Sequence, residues 1–214
     1  AAGAPRPTPH LRCHPALSGP DADPAGQGWQ LAEEAARRIT RAGRNWLTED
    51  LAPLVEDVFG IDVAVVATPV WFDGAAWSDR TAKIAVVGAT DRPGRQRFAL
   101  AHQVCHLLAE EENSLHVDAS IEQVPPERAR SETRANAFAE AFLMPGDVLR
   151  ELTPKRWTAP AFAALALWLD LPARALTRRL HQLGLMPMAD RRHFEGLGGA
   201  DLAALLGASQ AYAR

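Results

Sequence analysis

The chain has 214 residues, 47% of them hydrophobic, and a formal net charge of −3, enough to bury one real core with a small appendage. That balance excludes the global basic field of a nucleic-acid binder, and with no apolar run of about 18 residues and no n-region plus h-region signal pattern in these residues, no membrane association is expected. The two cysteines, Cys13 and Cys105, stand in different contexts and suggest no disulfide framework, which makes a cytoplasmic location the natural expectation.

Residues 1–28 are rich in Pro, Gly and Ala without apolar period and read as a flexible tail. Within it His10, Cys13 and His14 read as solvated side chains rather than metal ligands. From Trp29 to about Trp46 the pattern is helical, with Glu33 and Glu34 early and Arg37 and Arg38 late, matching the macrodipole. A second helix is predicted from Thr48, as N-cap, to Phe59, with Gly60 as its stop. Strands follow at 61–67, at 70–72 turning through Asp73-Gly74 into 75–77, and at 82–87. Asp91-Arg92-Pro93-Gly94 is turn chemistry that launches the next helix.

That helix carries His102 and His106. Side chains four residues apart lie about 40° apart around a helix axis, so both imidazoles can reach one metal ion. The zinc-peptidase signature H-E-x-x-H places between them a glutamate that takes the proton of the attacking water. Here that position is Gln103. Cys105 lies off the ligand direction and reads as a small apolar core residue, while Leu100, Ala101, Val104, Leu107 and Leu108 read as a core face opposite the histidines.

Residues 110–130 read as a connecting loop with three solvated glutamates and a lone His116, a candidate oxyanion donor. The helix predicted over 131–145 places Glu132, Asn136, Ala139 and Leu143 on one stripe, with Ala135 and Ala139 small enough for close helix approach. Glu132 can then join the two histidines as third ligand, leaving one position open as catalytic zinc sites do. Asn136, one turn on, can accept the free N–H of a ligand imidazole.

At these residues the chain resembles the ImmA/IrrE family of metallo-endopeptidases. Arg95, Arg97, Phe98, Ala101, His102, His106 and Leu108 match the first half of the family pattern. Glu132, Ala135, Asn136, Phe138, Ala139, Leu143, Met144 and Pro145 match the second. The resemblance implies an α+β minimal zinc-metallopeptidase fold, with a small β-sheet beside the active-site helix and a helical C-terminal part. It also implies one Zn2+ per chain and a protein substrate, commonly a helix-turn-helix repressor of stress or mobile-element genes. The departure is Gln103, which lacks a lone pair of useful basicity. Glu-to-Gln is the smallest change that disables such a site, so the reading favours an inactivated variant of an active enzyme over a natural pseudo-peptidase that binds partners.

Beyond Pro145 the sequence is helical. Thr158-Ala159-Pro160 starts one helix through Trp168, and Asp170-Leu171-Pro172 starts another over 173–183, closed by Gly184 and Leu185. The tight joint suggests helix-turn-helix, and Arg174, Arg178 and Arg179 offer phosphate contacts. Packing or repressor docking is the expectation, with no strong direct nucleic-acid binding. Residues 187–199 read as a loop and 200–211 as a terminal helix. The domain expectation is a core over 29–150 and a helical extension over 151–214 packed on it.

Overall fold

The computed structural model describes residues 23–69, 72–109, 114–118 and 129–207. The described residues form a mostly helical α+β chain with one four-stranded mixed sheet. They divide into two compact units. One holds the residues up to Thr90 with Gln96–Phe142, and the other holds Asp91–Arg95 with the residues from Leu143 onward.

In the first unit, helix α1 (Pro24–Arg41) begins inside the stretch expected to be tail. Asp23 explains the early start: its carboxylate accepts the amides of Ala25 and Gly26 at 3.1 and 2.9 Å, and Pro24 at the first position forfeits only a donor that would lack a helical partner anyway. The remaining tail residues, His10, Cys13 and His14 among them, lie outside the described residues. Gly28 is buried, and a Cβ there would lie 2.3 Å from the Arg134 carbonyl oxygen, so only glycine lets α1 cross that backbone so closely. Helix α2 (Leu51–Phe59) is capped by Asp50, which accepts from Ala52, and not by Thr48. Gly60 ends it in the left-handed region at φ 66°, as expected.

The strands are β1 (Asp62–Val66), β2 (Gly74–Ser78) and β3 (Lys83–Gly88), joined after helix α3 (Pro93–Ala109) by β4 (Ser114–Asp118). Their order is β1-β3-β2-β4, with β1 parallel to β3 and the other pairings antiparallel. The β2–β3 turn is fixed by Asp79, whose carboxylate accepts from the Thr81 amide and hydroxyl and from the Ala82 amide. These bonds, led by the Thr81 amide, hold its carboxyl below the usual range. Of the strand expected at 70–72, Val70 and Trp71 lie outside the described residues, and Phe72 precedes β2 without joining it.

β4 corrects the loop expected over 110–130. Leu115 and Val117 alternate with His116 in the period of a strand, a signal only five residues long and hidden between an acidic run and two prolines. One sheet face presents Gly74, Ala76 and Ser78 of β2 with Lys83, Ala85 and Val87 of β3, all buried. His116 shares that face, opposite Ala76 in the register. Helix α4 (Ala129–Leu143) completes the unit, its last residue passing into the second.

The second unit holds α5 (Gly146–Leu152), α6 (Ala159–Leu169), α7 (Ala173–Gln182), α8 (Met188–Phe194) and α9 (Gly199–Leu205). Thr158 caps α6 through the Ala161 amide, as expected. α6 and α7 meet at 105°, a helix-turn-helix-like joint at which Asp170 takes φ 52°. Helix α8 stands where a loop was expected. Its Phe194 stacks on Phe162 with ring centroids 4.7 Å apart, and this burial secures a helix too short to persist alone. Arg179 is buried and donates to the Met144 carbonyl at 3.3 Å, which removes it from the set of expected phosphate contacts. Among the described residues no single helix is long and apolar enough to cross a membrane.

Candidate metal centre

The His102-Gln103-x-x-His106 segment sits in the buried part of α3. Every residue from Ala99 to Leu108 is buried, so the helix does not divide into a core face and an open metal face as its sequence suggested. A helix enclosed all round is what Phe98-Ala-Leu-Ala and Val104-Cys-His-Leu-Leu permit. Small residues on the facing strands bring the sheet close: a Cβ on Gly74 would lie 2.9 Å from Gln103 Nε2 and 3.0 Å from its Cγ. The residue at the general-base position is therefore packed against the start of β2, a contact that spacing arguments missed.

His102, His106 and Glu132 converge. His102 Nε2 lies 3.0 Å from Glu132 Oε2 and 3.1 Å from His106 Nε2, and His106 Nε2 lies 3.5 Å from Glu132 Oε1. One donor atom from each residue falls within 4.8 Å of the others, with all three side chains buried. His102 Nδ1 lies 3.2 Å from Asn136 Oδ1, and a neutral His102 ring donating there presents its Nε2 lone pair to a carboxylate and a second imidazole nitrogen. Lone pairs facing one another out of water repel, and a cation among them removes the repulsion. Two imidazoles and one carboxylate are the donor set of an open zinc site, and the spacings suit ligand bonds of about 2.0–2.2 Å. The residues present fit the metal. His116, expected on a loop, lies on β4 with its ring stacked on that of His106, centroids 4.4 Å apart and planes 13° apart.

Two further sets of contacts hold the helices that carry the converging donors, and neither was visible from spacing. Lys83, buried on β3, donates through Nζ to the carbonyl of Leu107, the residue after His106. A cation there complements the negative end of α3. At the other end, Arg97 of α3 donates to the Trp46 carbonyl, and the Trp46 indole N–H donates to the Phe142 carbonyl of α4 at 2.6 Å. The Trp46 ring stacks on Phe142, and Phe142 on Phe138, at 5.8 and 5.3 Å. One residue in the connection between α1 and α2 thus grips both helices that carry the converging donors. Its loop is shaped by Glu49, which accepts the Asn45 amide and Arg44 Nε, each at 2.6 Å. The amide first, then the guanidinium, holds the Glu49 carboxyl below its ordinary range.

The sequence model of the IrrE N-terminal-like domain, a peptidase family, matches residues 58–186. The chain is 29% identical over 177 residues to the radiation response metalloprotease IrrE of Deinococcus radiodurans, an alignment covering 81% of this chain and 51% of the relative. It therefore spans about half the length of that relative. A solved transcriptional regulator of Mycobacterium tuberculosis is similar at 20% identity and a TM-score of 0.47, over 73% of this chain and 51% of the other. The matched segment contains the whole sheet, both ligand helices and all three converging donors, and the chain belongs to the IrrE N-terminal-like domain family of metallopeptidases.

Proposed function

We propose that the protein is a zinc-dependent endopeptidase of the IrrE type whose cutting step is disabled at Gln103, so that it holds its protein substrate without cleaving it. The observation that carries this reading is the buried convergence of His102, His106 and Glu132 beside Gln103. Zinc held there supplies Lewis acidity toward a water and a peptide carbonyl. The chain's own residues orient and exclude: Asn136 fixes the His102 ring, and the burial of the ligands keeps bulk water from competing. Gln103 has the shape of the family's glutamate and still offers hydrogen bonds, but it takes up no proton. The missing general-base assistance is worth roughly 10²–10⁴-fold in rate.

The substrate class follows from the family resemblance, which points to a helix-turn-helix repressor. An extended segment of that partner pairs with the outer edge of β4, next to His116 and so next to the metal site. The joint between α6 and α7 serves docking or packing in this reading, and the burial of Arg179 supports that over base reading.

Gln103→Glu tests the proposal. The variant, loaded with zinc and given the partner, is expected to cleave it, while the parent binds with similar affinity and leaves it intact. A Glu variant that binds both zinc and partner and never cuts would make the protein a pseudo-peptidase acting as a metal-dependent binding regulator.

A further inference from the structure

The two ligand histidines are held in different ways. His102 is oriented by a hydrogen bond from its Nδ1 to Asn136 on α4. His106 carries on its ring face the imidazole of His116, nearly parallel at 4.4 Å. The stack joins two elements far apart in character: α3, buried from Ala99 to Leu108, and β4, an end strand of the sheet whose neighbouring side chains Leu115 and Val117 are exposed. Because side chains alternate along a strand, those two point to the other face from His116, which lies on the ligand side of β4.

We infer that His116 is a positioning residue for the metal site, acting through its ring face on His106 and making β4 part of the metal-binding unit. A ligand imidazole must present its Nε2 lone pair along the metal bond, and rotation about its side-chain torsions swings that lone pair away. A flat ring packed on its face opposes that rotation. Once the ligand ring shares the metal's positive charge, it is also attracted to the electron-rich face of its neighbour. A ring in face-on contact serves through its π surface, so phenylalanine can replace it, whereas a residue needed for its ring N–H cannot be replaced that way. The consequence for function is that the strand edge offered to a peptide and the metal ligand are mechanically one piece, and a change in β4 is felt at the metal.

This rests on the metal reading proposed above, and the experiment separates the two. The full chain is loaded with Co2+, whose visible absorption reports ligand geometry, and Co2+ and Zn2+ affinities are measured by competition for the parent, His116→Ala, His116→Phe and Leu115→Ala. The last changes the same strand on its opposite face. His116→Ala is expected to weaken metal affinity about 2–10-fold, the range of one aromatic contact, and to shift the cobalt bands. His116→Phe is expected to restore both, and Leu115→Ala to leave both unchanged. Parent-like affinity and spectrum in His116→Ala would overturn the inference, as would failure of phenylalanine to rescue, which would assign His116 an N–H role. Failure of the parent to bind cobalt would instead overturn the metal reading itself.

Discussion

Asn136 bears on the site without touching a metal ion. Its carbonyl oxygen receives the Nδ1–H of His102 and so selects the tautomer whose Nε2 is free to ligate. Asn136→Ala removes that acceptor while leaving all three ligands in place. Zinc affinity is expected to fall about 10–100-fold, the usual effect of deleting such a partner, measured by competition with a chromogenic chelator. An unchanged affinity would show that His102 needs no orienting bond. These residues were legible in the sequence because helical periodicity converts spacing directly into a shared face. His102, His106, Glu132 and Asn136 could each be placed by counting, whereas the packing of Gln103 on Gly74 could not, because it depends on a register between helix and sheet that no local pattern carries.

The elements that could be read locally came out closely: Gly60 as a stop, Thr158 as a cap and the strands at 62–66 and 83–88 all follow from rules acting within a few residues. Local competition explains the misses. Asp23-Pro24 is itself a helix-start signal, outweighed in reading by the Pro and Gly around it, and Asp50 lies two residues beyond the threonine expected to cap α2. β4 and α8 are short elements that depend on tertiary partners, a strand neighbour for one and Phe162 for the other. Trp46 makes the same point for function, since its sequence context is featureless and its role emerges only when α3 and α4 are seen together. Trp46→Phe keeps the ring stack on Phe142 and deletes the indole N–H. It is expected to lower zinc affinity several-fold, toward the roughly 10-fold seen when outer partners of a metal site are lost. Leu54→Ala, in the core but away from the brace, is expected to lower the melting temperature without changing zinc affinity. Equal zinc affinity in Trp46→Phe and the parent would reduce the brace to a packing contact.

Over the whole molecule, net charge and composition excluded function classes but named none, and the family emerged only when two motifs some thirty residues apart were read as one site. The fold supports that union by placing the donor-bearing stretches of α3 and α4 in one compact unit with the sheet. The helix-turn-helix-like joint belongs to the other unit, and its arginines divide by burial rather than by sequence. Whether His102, His106 and Glu132 hold a metal ion together is decided by metal analysis of the purified protein. About one zinc per chain is expected in the parent, and loss of it in both His102→Ala and Glu132→Ala, since removing one of three protein ligands weakens such a site steeply. Full zinc content in Glu132→Ala, or a parent that takes up no zinc when it is supplied, would contradict it.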